Sequence, residues 1–144
     1  MVTLREITED TLRPFLKMEV SEKQKQFVAP NSVSISQAYF NNTAWFRGIY
    51  ADDTPVGFVM LSIDREEPEY WVCRLMIDQH QQGNGYGYAA MELILEYVRT
   101  LPGAKELKLS YEPGEGDPSG FYRKLGFEET GEMNKDERVM KLTL

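Results

Sequence analysis

A chain of 144 residues with 42% hydrophobic and 12% aromatic content carries enough apolar side chain for one folded core, so residues 1–144 read as a single domain. A net charge of −7 argues against nucleic acid, whose phosphates would be repelled, and is compatible with a cationic small molecule. No apolar run is long enough to cross a membrane. The one cysteine, Cys73, excludes an intramolecular disulfide, and the opening residues show no basic segment leading into an apolar one; both fit a cytoplasmic location.

In chain order, Val2 to Ile7 alternates apolar and polar residues and predicts a first strand. Thr8 or Glu9 opens a predicted helix through Leu12, Phe15, Leu16 and Val20, with Pro14 near its start. Ser34-Ile35-Ser36-Gln37 has capping-box spacing and predicts a short helix through Phe40. Thr43 to Ala51 and Val56 to Ile63 form a predicted hairpin about Asp52-Asp53; its second strand is nearly all apolar and is expected to be covered on both faces. An acidic loop, Asp64 to Glu69, precedes a compact apolar run from Trp71 to Ile77 with the composition of a buried strand.

A polar turn, Asp78 to Gln81, then leads to glycines at alternate positions, Gly83, Gly85 and Gly87. Beyond them Ala89, Ala90, Leu93, Ile94, Tyr97 and Val98 recur with helical spacing. Leu101 to Ala104 ends that helix, and Leu107 to Tyr111 alternates as a strand. Glu112 to Gly120 reads as a loop, and Asp117-Pro118-Ser119 opens a short helix stopped by Gly126. Phe127 begins another strand, and Arg138 to Leu144 alternates as the last. The order β-α-α-β-β-β-α-β-α-β-β predicts an α/β domain around one central, mixed, mostly antiparallel sheet flanked by helices.

Strand, glycine-rich turn, helix is an arrangement suited to an anion. The first turn of a helix has backbone N–H groups without intrahelical partners, its dipole is positive there, and glycine lets a ligand approach the backbone. A Walker loop would continue with Lys and Ser or Thr, whereas this one continues Tyr88-Ala89. A dinucleotide fingerprint can be written as Gly85, Gly87, Ala90, but too little chain follows to build the units expected behind it. Gln82-Gly83-Asn84-Gly85-Tyr86-Gly87 matches (Arg/Gln)-x-x-Gly-x-(Gly/Ala), and so resembles the coenzyme A pyrophosphate loop of the GNAT N-acetyltransferase superfamily. A second segment, Phe121-Tyr122-Arg123-Lys124-Leu125-Gly126-Phe127, looks like the F-Y-x-K-x-G-F stretch in which that family places a tyrosine beside the coenzyme A sulfur. The element order is similar to the family's across essentially the whole chain.

The resemblance implies an acetyl-CoA-dependent N-acetyltransferase that uses no metal. In it Leu75, Met76 and Ile77, the loop Gln82, Gly83, Asn84, Gly85, Tyr86, Gly87 and Tyr88, and Lys124 hold acetyl-CoA. An amine attacks the acetyl carbonyl directly, a backbone N–H of Leu75, Met76 or Ile77 stabilises the oxyanion, and Tyr122 gives its proton to the departing thiolate. Glu69 and Glu112, flanking two strands, are candidates by position for the base, although each reads first as a solvated surface carboxylate. His80 reads as a turn residue and Cys73 as core.

For the acceptor cleft, the resemblance points to the first two helices and the hairpin region. Glu19, Glu22, Tyr39 and Trp45 there, with Glu66 and Glu67, offer the carboxylates and aromatic faces that suit a cation, and Arg74 is expected to pair with a carboxylate nearby. Gln26-Phe27-Val28-Ala29-Pro30-Asn31, with Tyr70-Trp71 and Arg74, also looks like the branch containing bacterial spermine/spermidine acetyltransferases. A small cationic amine such as spermidine or spermine is therefore the expected partner. A homodimer is expected by resemblance alone. The competing classes are an acetyl-CoA-binding sensor that has lost catalysis, an acetyltransferase for another amine (peptide N-terminus, amino acid or aminoglycoside), and a dinucleotide-binding module.

Overall fold

The computed structural model describes residues 1–144, and its elements follow the predicted order. β1 (Val2–Arg5) stops short of Ile7: Val2 and Leu4 pack with the larger of two cores, whereas Ile7 falls on the opposite face of the sheet. A turn closed by the Thr11 N–H on the Thr8 carbonyl, at 3.0 Å, then delays α1 (Leu12–Lys17). Extended backbone at Met18 ends α1, so Val20 lies outside the helix rather than within it.

α2 (Asn31–Tyr39) corrects the capping-box expectation, because it starts a turn earlier. Pro30 has extended backbone, and its carbonyl accepts the Val33 and Ser34 N–H groups at 3.0 and 3.2 Å. Ser34 is therefore buried inside the helix, with its hydroxyl unpartnered, instead of capping it. Asn31, also buried, donates from Nδ2 to the Phe15 carbonyl at 2.8 Å and so ties α2 to α1.

The remaining elements are β2 (Ala44–Ala51), β3 (Thr54–Asp64), β4 (Glu69–Ile77), α3 (Tyr86–Arg99), β5 (Glu106–Tyr111), α4 (Ser119–Lys124), β6 (Glu128–Asn134) and β7 (Glu137–Thr143). All seven strands form one sheet in the order β1-β2-β3-β4-β5-β7-β6. Every neighbouring pair is antiparallel except β4–β5. As expected of its apolar run, β3 is buried on both faces between β2 and β4.

The larger core lies between the sheet and α3. Its helical stripe is Ala90, Met91, Ile94, Leu95 and Val98, turned by about one position from the expected face. Tyr97 sits at the stripe's edge, where it stacks on Trp45 with ring centroids 4.9 Å apart. On the other face Phe15, Met18 and Val20 pack on Tyr50, Phe58, Met60 and Met76.

One local irregularity shapes the middle of the sheet. Met60 pairs with Arg74 but Leu61 with Val72, which leaves Cys73 as the extra residue of a β-bulge. Directly there, β4 and β5 part: only Trp71–Lys108 and Val72–Leu109 are paired, and beyond them the strands diverge. Close approach on the β3 side is equally local, since a Cβ on Gly57 would stand 2.4 Å from the Met76 carbonyl oxygen. Neither strand can move without breaking its ladder. Gly57→Ala is expected to cost about 2 kcal/mol, seen as a lower urea midpoint with an unchanged slope.

Candidate active site

At the end of β4 the backbone sets which groups face the gap between strands. In an antiparallel pair, a residue's N–H and C=O point together toward the partner or away from it, alternating along the strand. The Asp78 N–H donates to the Val56 carbonyl on β3 at 2.8 Å. Met76 therefore also faces β3, while Leu75 and Ile77 present their peptide groups to the opening beside β5. Consistently, the Ile77 carbonyl accepts a bond from Gln82 Nε2 at 2.9 Å.

That bond folds the glycine loop back over the strand, and Gln82 Nε2 also donates to Gln24 Oε1 at 2.9 Å. Gly83 and Gly85 lie in the left-handed region, at φ 84° and 77°, and a Cβ on either would meet nothing within 4 Å. Gly85 caps α3, whose 14 residues begin with no acidic side chain in the first turn. The first helical bond runs from the Ala89 N–H to the Gly85 carbonyl, at 3.1 Å. The N–H groups of the preceding turn thus have no intrahelical acceptor and sit at the positive end of the dipole.

The loop opens into a cleft. Leu75, Ile77, Gln82, Gly83, Gly85, Tyr86, Gly87, Tyr88 and Lys124 line it together. Val20, Gln24, Phe27 and Asp117 join them. Open glycine backbone, unpartnered N–H groups and a lysine make a set of donors that fits the pyrophosphate of acetyl-CoA, and Leu75 offers a free peptide edge for an extended amide-bearing arm. Two of the expected residues stand outside the cleft. Met76 points into the smaller core, and Asn84 turns back to donate to the Gln81 carbonyl at 3.0 Å.

Tyr122 joins this cleft to a second one. Its ring is wedged edge-on between Phe121 and Phe127, with centroids at 5.1 and 5.5 Å. Phe121 in turn lies under the loop, 3.5 Å from where a Cβ on Gly87 would be, so the two motif segments are in contact range. Tyr122 is only 7% exposed, and burial raises its phenol above the ordinary 10.0. It therefore stays protonated throughout the neutral range.

The turn before α4 is held by Asp117, which accepts bonds from the Ser119 hydroxyl (2.6 Å), the Ser119 N–H and the Gly114 N–H (both 3.0 Å). Burial alone would raise its carboxyl, but those bonds, with Arg123 nearby, hold it below the ordinary 3.8. A depressed folded value means the stabilisation is complete above 3.8 and is lost as pH falls through the lower folded value. Asp117→Asn is expected to cost about 1 kcal/mol at neutral pH and to flatten the acid limb of a plot of Tm against pH.

The second cleft occupies the parting of β4 and β5. Cys73, Arg74, Ser110, Tyr111, Asn134 and Glu137 line it, and it shares Phe27, Val28, Leu75, Pro118 and Tyr122 with the first. Among the residues expected for an acceptor, Arg74 is here. Its Nη1 donates to the Cys73 carbonyl at 2.7 Å, its Nε is buried without a partner, and no carboxylate forms an ion pair with it. Burial raises the Cys73 thiol above its ordinary 9.0, as suits a packing residue rather than a nucleophile.

The others stand elsewhere. Glu19 and Glu22 lie within 3.8 and 2.7 Å of Lys25 beside α1. Tyr39 is 84% exposed at the end of α2. Trp45 is covered by Tyr97 and by the Arg47 guanidinium, 4.3 Å from its ring. Glu69 accepts a bond from Trp71 Nε1 at 2.8 Å and borders a separate hollow with Lys105 and Lys108. Glu112 is exposed just past β5, and His80 is exposed in the turn before the loop. Glu137, Ser110, Tyr111 and Asn134 were not among the expected residues. Only Ser110 left a trace in the sequence, as the polar residue between inward-facing Leu109 and Tyr111.

No three His, Cys, Asp or Glu side chains converge as a metal site would require, and no helix is long and apolar enough to cross a membrane. The model of the acetyltransferase (GNAT) family matches residues 4–127. A probable spermine N(1)-acetyltransferase of Bacillus subtilis subsp. natto (strain BEST195) is 25% identical over 146 residues, covering 96% of each chain. A solved domain from Methanocaldococcus jannaschii DSM 2661 shares the fold at a TM-score of 0.78 and 17% identity, over 100% of this chain and 99% of that one. Spermidine N-acetyltransferase from Vibrio cholerae, solved with CoA and spermine, does so at 0.77 and 17%, over 99% and 95%. With most of its length matched by the family model, and a loop whose donors suit acetyl-CoA, this chain belongs to the GNAT family of acetyl-CoA-dependent N-acetyltransferases.

Proposed function

We propose that the protein acetylates a polyamine or a related small alkylamine, by direct attack of the amine on the acetyl thioester. The observation that carries the direct mechanism is the position of Tyr122, which borders both the loop cleft and the opening between β4 and β5. Acetyl-CoA supplies the activated acetyl group and a thiolate leaving group. In this reading the loop N–H groups and Lys124 hold the pyrophosphate, and the outward peptide groups of Leu75 and Ile77 pair with the pantetheine arm and the carbonyl oxygen. Tyr122 donates a hydrogen bond to the sulfur as its charge develops. The thiolate of a thiol of pKa about 8.5 is a weaker base than the buried phenolate, so the phenol steadies the thiolate and relays, rather than permanently loses, its proton.

The polyamine assignment is supported by the named activity of the Bacillus relative and by the Vibrio structure's ligand. A second reading is favoured by Arg74. A half-buried guanidinium whose Nε is enclosed without a partner, and which meets no carboxylate, suits an acceptor that brings its own carbonyl or carboxylate, such as an amino acid or a peptide N-terminus. Release of free coenzyme A thiol across spermidine, spermine, a diamine, amino acids, a lysine peptide and an aminoglycoside tests both. Turnover confined to spermidine or spermine supports the first reading; turnover confined to the peptide or amino acids replaces it with the second. Silence toward every amine with acetyl-CoA still bound would identify a sensor.

A further inference from the structure

The proton that an ammonium must lose before attack has no acceptor among Glu69 and Glu112, which lie outside both clefts. One carboxylate, Glu137 at the start of β7, does line the acceptor opening, and it is the only Asp or Glu that does. Its Oε1 accepts a bond from Ser110 Oγ at 2.7 Å.

Ser110 marks the fork itself. Leu109 is the last β5 residue paired with β4, so Ser110 is the first beyond it, level with the bulged Cys73. Leu107, Leu109 and Tyr111 point into the larger core, which turns Ser110 to the other face. Arg74 lies on that face too, opposite Met60 of the smaller core.

The charge on Glu137 is also uncommitted. Elsewhere on this half of the sheet, Glu106 has Lys108 and Lys141, and Glu129 has Arg123 and Tyr111. Glu137 forms no ion pair, and its Oε2 has no hydrogen-bond donor. A half-buried carboxylate with one oxygen held and the other free is a seat for an ammonium.

We propose that Glu137, oriented by Ser110, receives the acceptor's ammonium and takes its proton before attack. The inference rests on the acetyl-transfer reading above. One ammonium proton passes to Glu137, which keeps it through the attack and releases it to solvent after turnover. The N–C bond forms and the C–S bond breaks, and the nitrogen's second surplus proton reaches the sulfur through Tyr122, which is left as it began. Net, ammonium and thioester give amide, thiol and one released proton.

The test is kcat/KM for the amine that the wild type prefers, from pH 7 to 10, in wild type, Glu137→Gln and Ser110→Ala. With a proton acceptor in place, the rate is level over the range in which the amine stays protonated. Without one it follows free amine, about one part in a thousand at pH 7 for a pKa near 10. Glu137→Gln is expected to fall about 10²-fold at pH 7, to recover roughly tenfold per pH unit as free amine accumulates, and to bind acetyl-CoA as tightly as wild type. Ser110→Ala should lose a few-fold with the same recovery. A Glu137→Gln rate within twofold of wild type at pH 7, or a deficit constant to pH 10, overturns the inference and leaves the acetyl-transfer reading standing. A wild type silent toward every amine removes both.

Discussion

Tyr122→Phe is expected to lower kcat about 10²-fold while acetyl-CoA affinity stays within twofold of wild type. Only a hydroxyl is removed. The ring keeps its places against Phe121 and Phe127, and α4 keeps its backbone bonds from the Leu125 and Phe127 N–H groups to the Tyr122 carbonyl. Burial alone accounts for the raised phenol, with no charge or hydrogen bond contributing. Losing that hydroxyl should therefore cost less than about 1 kcal/mol of stability, which separates chemistry from folding. Its raised value also keeps the proton in place across the pH series used for Glu137. Single-turnover formation of acetylated amine, with binding of acetyl-CoA measured separately, gives the comparison. An undiminished single-turnover rate would mean that another group, or water alone, meets the thiolate.

What the sequence made legible were features written in neighbouring residues. An apolar run, three glycines and a change to helical period located β4, the loop and α3, because each signal is complete within one turn or one strand. The F-Y-x-K-x-G-F stretch likewise carried α4 and its glycine stop. Features made by distant residues were hidden. Glu137 meets Ser110 across 27 positions, only because β7 lies beside β5 in the sheet. The bulge at Cys73 is a mismatch of register between two strands, and no residue type announces it.

The acceptor assignments show the same division from the other side. Trp45 has the ring that a cation would use, but its strand turns that ring toward α3, where Tyr97 and Arg47 already cover it. Glu19 and Glu22 have the right charge, and Lys25 meets it locally. Composition can nominate a cation site, but only packing says which carboxylates are left without a partner. In α2 the nearest signal competed with a stronger one: Pro30 starts the helix before the capping-box serine is reached, and Ser34 ends up buried.

The loop can be tested at Gly85, the left-handed residue that caps α3. Gly85→Val is expected to raise the acetyl-CoA Kd about 10²-fold, as loss of one or two charge-assisted hydrogen bonds of about 1.5–3 kcal/mol each would do. At φ 77° a β-branched residue is strained, although nothing crowds the position. The loop would relieve that strain by leaving the left-handed region, and the N–H groups at the start of α3 would turn with it. Because the obstacle is conformational, a larger ligand cleft would not compensate. Gly120→Ala in α4 is the control, since a Cβ there also meets nothing within 4 Å but the backbone is not left-handed. That variant should gain up to about 1 kcal/mol of stability and keep wild-type affinity. Isothermal titration with acetyl-CoA distinguishes the cases. If Gly85→Val bound acetyl-CoA as wild type does, the seat of the pyrophosphate would have to lie elsewhere in the cleft, with Lys124 the first place to look.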